Sequence, residues 1–67
     1  MDYTAIGKEI RLKRLLCGLT QAQLAERSGI STAFVGHIER GTRVMSIETL
    51  YALCKALELS ADRILGL

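Results

Sequence analysis

The 67-residue sequence has no proline, no tryptophan and few aromatic residues, namely two tyrosines and one phenylalanine. A β-sandwich is therefore not expected, because strands favour aromatic side chains, and aliphatic packing of helices is expected instead. No apolar run approaches the ~20 residues of a membrane span, and the N-terminal stretch has no apolar core typical of a signal peptide. We therefore expect a cytoplasmic protein with no membrane segment.

Potential metal ligands and catalytic groups are also scarce. Two cysteines and one histidine do not make a zinc site. We expect Cys17 and Cys54 to be reduced core residues, although the sequence alone leaves a disulfide between them possible. There is no glycine-rich phosphate loop and no pair of catalytic acids, so neither a cofactor nor an enzymatic activity is predicted.

What the sequence does contain is typical of one small globular domain. Hydrophobic residues make up 49% of the chain and charged residues 24%, which is unlike a disordered chain. A chain this short buries only ~60% of its unfolded surface, so its stability depends on good packing. The net charge of +2 permits nucleic-acid binding without requiring it.

The stretch from residue 19 to residue 41 predicts two short helices joined by a tight turn. Thr20 and Gln23 form a capping-box pattern at the first helix start, and Ser31 is the expected cap of the second. Gly29 and Gly41 are expected to end the two helices in the left-handed conformation. We predict helices over residues 21–28 and 32–40, which together form a helix-turn-helix at about 21–40.

Apolar spacing and capping patterns predict three further helices, over residues 4–17, 47–58 and 61–65. The helix over 47–58 is the most apolar and is expected to be central. Its apolar residues are Ile47, Leu50, Tyr51, Leu53, Cys54 and Leu57. The predicted fold is all-α and compact, with five helices in a single domain over residues 1–67.

This pattern resembles the XRE-type helix-turn-helix family, which includes the phage repressors and Cro proteins. The resemblance covers nearly the whole chain. The matching residues are Ile6-Gly7, Gly18-Leu19-Thr20-Gln21, Ala25, Gly29, Val35, Ile38-Glu39-Arg40-Gly41 and Ala56-Leu57. The resemblance implies a lambda-repressor-like fold and a transcriptional regulator, expected to be a repressor, that binds double-stranded DNA.

The resemblance also implies roles for individual residues. The helix over 32–40 would enter the major groove, where each base pair presents a distinct edge. The implied base contacts are Thr32, Ala33 and His37. The expected contacts to the DNA backbone are Gln21, Phe34, Arg40, Thr42 and Arg43. A family ion pair matches Arg14 and Glu39, which we expect to be structural.

Proteins of this kind usually bind as dimers to half-sites ~34 Å apart, because one helix-turn-helix makes few contacts. Apolar residues after the second helix of the motif and at the chain end are candidates for a two-fold interface. They are Val44, Met45, Leu59, Leu65 and Leu67.

Leu12, Leu15 and Leu16 do not fit the apolar stripe of the first helix, which contains Ile6 and Ile10. They are either scattered exposed leucines or a second apolar face that meets another protein. The second possibility would suit an antitoxin of a toxin–antitoxin pair, with DNA binding as secondary autoregulation. A restriction–modification controller protein is a further alternative with a similar architecture.

Overall fold

The structure, a computed structural model, describes residues 2–58. They form four helices, α1 (Tyr3–Leu16), α2 (Gln21–Ser28), α3 (Thr32–Arg40) and α4 (Ile47–Leu57). The prediction of five helices is wrong for the described chain, which has four. The expected fifth helix, over 61–65, was inferred from a local capping pattern at Ser60, and it lies outside the described residues. The interface candidates Leu59, Leu65 and Leu67 also lie outside them.

Each of the four helices begins at a side chain that accepts a hydrogen bond from a backbone N–H three residues on. These caps are Asp2, Thr20, Ser31 and Ser46. At Thr20 the capping box is complete, because the side-chain oxygen of Gln23 accepts from the Thr20 N–H at 2.8 Å. Each such cap contributes about 0.5–2 kcal/mol, so the helix starts are set by local chemistry.

Left-handed glycines end the two helices of the motif. Gly29 has φ of 71° and ends α2, and Gly41 has φ of 72° and ends α3. There is a second reason for glycine at position 41, since a Cβ there would lie 2.8 Å from the Cα of Thr4. The start of α1 therefore packs directly against the end of α3.

The core lies where α1 and α2 pack against α3, and where α4 packs against α2 and α1. Its fully buried side chains are Ile10, Leu24, Val35, Ile38, Leu53 and Leu57. No helix within residues 2–58 is both long enough and apolar enough to cross a bilayer. The core is aliphatic, as the scarcity of aromatic residues predicted.

Three side chains expected in the core are exposed. Cys17 follows the last turn of α1 as its C-cap and is exposed, whereas Cys54 is buried, and both thiols are free. Ile47 and Tyr51, which are one helical turn apart, lie on a face of α4 that points to solvent. The inward face of α4 is formed instead by Leu50, Leu53, Cys54 and Leu57.

Candidate nucleic-acid interface

A buried ion pair joins the end of α1 to the last turn of α3. The Nε of Arg14 donates to Oε2 of Glu39 at 2.6 Å, and its Nη2 donates to Oε1 at 3.0 Å. Their side chains are only 9% and 2% exposed. The hydrogen bonds with Glu39 raise the pKa of Arg14, although burial opposes the shift. Because Nη1 also donates to the carbonyl of Leu19 at 2.9 Å, this pair fixes α3 relative to α1 and the α1–α2 loop.

Gln21, expected to contact the DNA backbone, is attached to the same pair. Its amide nitrogen donates to Oε1 of Glu39 at 3.1 Å. An amide nitrogen carries two hydrogens, and only one of them is donated to Glu39. Gln21 opens α2, and a helix N-terminus attracts anions. The arrangement is therefore compatible with the predicted phosphate contact.

The opposite face of α3 is open to solvent. Thr32 and Ala33 in its first turn are exposed, and His37 one turn later is half-buried. Ala33 and His37 line a depression of about 430 Å³. Its other lining residues are Ile30, Ser31, Phe34 and Arg43. The depression brings together predicted base-contact residues and predicted backbone-contact residues.

Arg43, in the loop after α3, lies over the ring of Phe34, in the first turn of α3. The guanidinium carbon of Arg43 lies 5.8 Å from the centroid of the Phe34 ring, which is within the range of a cation–π contact. The half-buried ring itself packs against the core. Sequence reasoning treated the two as separate contacts, and no local pattern indicates their pairing. The ring therefore holds the Arg43 cation beside α3.

Arg40 lies over the backbone of Gly36, which is buried. A Cβ on Gly36 would be 3.0 Å from Nη1 of Arg40. The guanidinium thus lies alongside the middle of α3 instead of extending past its end. The absence of a side chain at position 36 makes this position possible.

Thr42 uses both of its hydrogen-bond donors within the chain. Its backbone N–H donates to the carbonyl of His37 at 3.0 Å, and its hydroxyl donates to the same carbonyl at 3.2 Å. The hydroxyl oxygen also lies 2.9 Å from Nδ1 of His37. Both donors of Thr42 thus have partners within the chain, and its phosphate contact stays a prediction.

The apolar candidates for protein contact divide between core and surface. Met45 is buried in the core, so it offers no surface to a second copy. Val44, Ile47 and Tyr51 are 70%, 62% and 63% exposed, and we call these three residues the α4 patch. The α1 residues proposed for a protein partner are also more than half exposed. They are Leu12, Leu15 and Leu16.

Comparison with known sequences gives one family match and several relatives. Residues 10–64 match the family described as Helix-turn-helix. The control protein C.SmaI of Serratia marcescens is 38% identical over 66 residues, which cover 97% of this chain and 79% of that protein. An HTH-type transcriptional regulator of Mycobacterium tuberculosis is 42% identical over 56 residues, or 84% of this chain. The match spans only 40% of that regulator's length.

Solved structures resemble this one along most of its length. The restriction–modification controller protein C.AhdI from Aeromonas hydrophila superposes with a TM-score of 0.89 at 33% identity, covering 94% of this chain and 96% of its own. The P22 c2 repressor, solved in complex with a synthetic operator, has a TM-score of 0.84 at 34% identity. That match covers 88% of this chain and 89% of the repressor chain.

Proposed function

The chain belongs to the XRE-type helix-turn-helix family, and from that membership we propose that it is a sequence-specific regulator of transcription that binds double-stranded DNA. The observation that carries the proposal is the presentation of α3. Val35 and Ile38 bury one side of this helix, while Thr32 and Ala33 on the other side face solvent. A helix exposed in this way fits the major groove of B-DNA.

The proposed contacts follow from the geometry of this face. Thr32, Ala33 and His37 would meet base edges, and the small side chain of Ala33 suits contact with a thymine methyl. Arg40 and Arg43 would meet phosphates. Gln21 would offer its second amide hydrogen at the start of α2, and Phe34 would hold Arg43 in place. Contacts to the DNA backbone position the protein, and base contacts specify the sequence.

Repression is the proposed outcome of binding, by occlusion of the DNA that α3 covers. The similarity to the P22 c2 repressor, whose structure includes an operator, supports this proposal. A second candidate is a restriction–modification controller, because C.AhdI and this chain match over nearly their full lengths. An antitoxin function is supported only by the exposure of Leu12, Leu15 and Leu16.

We also propose a homodimer. A single helix-turn-helix makes few contacts, and a two-fold pair would place two α3 helices on successive turns of the duplex. The α4 patch is an exposed apolar surface that such a pair could bury. It includes Val44, the one exposed candidate among those predicted within the described chain.

The experiment that tests this function is selection of bound sequences from random double-stranded DNA with the purified protein. The expected result is a pseudo-palindrome with half-sites about one helical turn, ~34 Å, apart. Binding should weaken steeply with salt, because counterions released from phosphates supply much of the free energy. Failure to enrich any sequence at low salt would contradict the proposal.

Two variants separate the two kinds of contact on the selected DNA. His37→Ala should relax sequence preference, while Arg43→Ala should weaken binding to all sequences alike and reduce the salt slope by about one. Lys55→Ala is the matched control, because Lys55 is an exposed cation on α4, which packs against α1 and α2. That control should leave both affinity and salt slope unchanged on a single half-site, because binding there does not involve the proposed interface of the α4 patch, which lies one helical turn from Lys55.

A further inference from the structure

The contacts around Thr42 favour one position for the ring hydrogen of His37. A hydroxyl has one hydrogen to donate, and that of Thr42 goes to the carbonyl of His37 at 3.2 Å. The Thr42 oxygen can then meet Nδ1 of His37 only as an acceptor, over a distance of 2.9 Å. This distance is the usual one for an N–H···O bond. A ring protonated at Nδ1 makes both contacts hydrogen bonds, whereas a ring bare at Nδ1 would compete with the carbonyl for the single hydroxyl hydrogen. The geometry therefore favours protonation at Nδ1.

The state of the other ring nitrogen follows from this assignment. A neutral imidazole carries one hydrogen, so a ring protonated at Nδ1 has a bare Nε2 that accepts hydrogen bonds. Within residues 2–58, Nε2 has no hydrogen-bond partner, whereas Nδ1 has Thr42. His37 lines the open depression beside Ala33. The ring thus presents an acceptor, and not a donor, on the face of α3.

An acceptor and a donor select different bases in the major groove. Adenine and cytosine present amino groups there, N6 and N4, which donate hydrogen bonds. Guanine presents N7 and O6, which only accept. A neutral His37 with a bare Nε2 can therefore accept a hydrogen bond from adenine or cytosine. Opposite guanine, the lone pair of Nε2 would face the acceptor atoms N7 and O6 and no hydrogen bond could form.

We propose that Thr42 is a positioning residue that fixes the Nδ1-protonated form of His37, so that His37 reads an amino-bearing base, adenine or cytosine, in the operator. This inference rests on the proposed function for its base reading. The tautomer itself is a property of the free protein. The two parts can therefore be tested separately.

The first test is nitrogen-15 NMR of the free protein at pH 8, where an ordinary imidazole is neutral. The chain has one histidine, so one set of ring signals reports on His37 alone. Long-range proton–nitrogen correlations should show Nδ1 protonated and Nε2 bare. Thr42→Ser, which keeps the hydroxyl, should preserve this pattern. Thr42→Val should shift the tautomer ratio roughly two- to tenfold toward the Nε2-protonated form, as expected for one hydrogen bond.

The second test uses the DNA selected with the wild-type protein. The base to be changed is the one at which His37→Ala loses the sequence preference of the wild-type protein. If that base is adenine, replacing it with purine, which lacks the N6 amino group, should weaken wild-type and Thr42→Ser binding roughly two- to tenfold. His37→Ala should be insensitive to the replacement. Thr42→Val should move the preference toward guanine.

The outcomes of the two tests are distinguishable. An Nε2-protonated wild-type ring would overturn this inference while leaving DNA binding intact. Wild-type binding that is unchanged when the amino group is removed from the adenine or cytosine of the tested base pair would overturn it as well. An absence of any DNA binding would overturn the proposed function and the base reading, whatever the tautomer.

Discussion

Gly7 of α1 lies directly against the carbonyl of Ile38 in α3. A Cβ on residue 7 would overlap that carbonyl oxygen and would lie 2.8 Å from the carbonyl oxygen of Glu39. The two helices therefore meet backbone to backbone at this point. Since Glu39 is also the partner of Arg14, both contacts act on the last turn of α3 and set how far this helix projects from the domain.

Gly7→Ala should destabilise the protein. Alanine favours a helix interior by up to about 1 kcal/mol over glycine, but here its methyl must push α1 away from the backbone of α3. Such overpacking typically costs about 1–3 kcal/mol, and each kcal/mol lowers the Tm of a domain this size by about 4–8 °C. Thermal unfolding measures the change. Lys8→Ala, at the exposed neighbouring position, is the control, and a Tm that Gly7→Ala leaves unchanged would rule out the close contact.

Gly36→Ala should have the opposite effect on stability. The new methyl would meet the Nη1 of Arg40 at 3.0 Å, and this end of a flexible side chain can move away. The helix propensity of alanine then stabilises α3 by up to about 1 kcal/mol. DNA affinity should nevertheless fall, because Arg40 loses its position beside α3.

The interaction between positions 36 and 40 can be isolated with a double-mutant cycle. In an Arg40→Ala background, Gly36→Ala should cause little further loss of DNA affinity. A full additive loss would show that the methyl obstructs the DNA directly and that Arg40 has no part in the effect.

Sequence reasoning was most accurate where the determinants are local. The bounds of α2 and α3 agree with the prediction, because Thr20, Ser31 and the two glycines at 29 and 41 act within one helical turn. The family resemblance was also correct, since the same local signals define the motif.

Side-chain packing and side-chain hydrogen bonds were not predictable in the same way. Periodicity could not show that Ile47 and Tyr51 face solvent, because the neighbouring turns of α4 are also apolar and only packing selects the inner face. Nor does the sequence reveal that Thr42 turns back onto His37. The left-handed backbone of Gly41 between them was predicted, but the position of the Thr42 hydroxyl beside the imidazole was not. The candidate site could be listed from the sequence, whereas its internal hydrogen bonds required the fold.

Glu39→Gln should strongly destabilise the domain. It removes the charge that compensates the buried guanidinium of Arg14, and breaking a buried pair in this way costs about 3–5 kcal/mol. Urea unfolding measures the loss. The double substitution Arg14→Met with Glu39→Leu should recover much of the stability, because no uncompensated buried charge remains. An unchanged unfolding midpoint for Glu39→Gln would contradict a structural role for the pair.

The two cysteines should differ sharply in reactivity. Cys17 is exposed and Cys54 is buried, and burial raises the pKa of the Cys54 thiol. At pH 8 an aromatic disulfide reagent should label one thiol rapidly in the folded protein and both in denaturant, and Cys17→Ser should abolish the rapid phase.

Because the folded chain retains the Cys54 proton while the unfolded chain ionises, stability should fall as the pH rises through the ordinary thiol range. Cys54→Ala should flatten that part of the pH profile, and two equally fast thiols in the folded protein would contradict the difference in burial.

Tyr51→Glu should convert the proposed dimer to a monomer without unfolding it. Tyr51 is 63% exposed in the single chain, so the substitution leaves the core intact, but a charge in an apolar two-fold interface must be buried unpaired. Sedimentation should show a smaller particle, and affinity for the full pseudo-palindrome should fall far more than affinity for one half-site. Leu16→Glu is the matched control, because Leu16 is 73% exposed on α1 and lies outside the α4 patch. If Leu16→Glu dissociates the dimer and Tyr51→Glu does not, the interface belongs to α1, and the exposed leucines there are its contact surface.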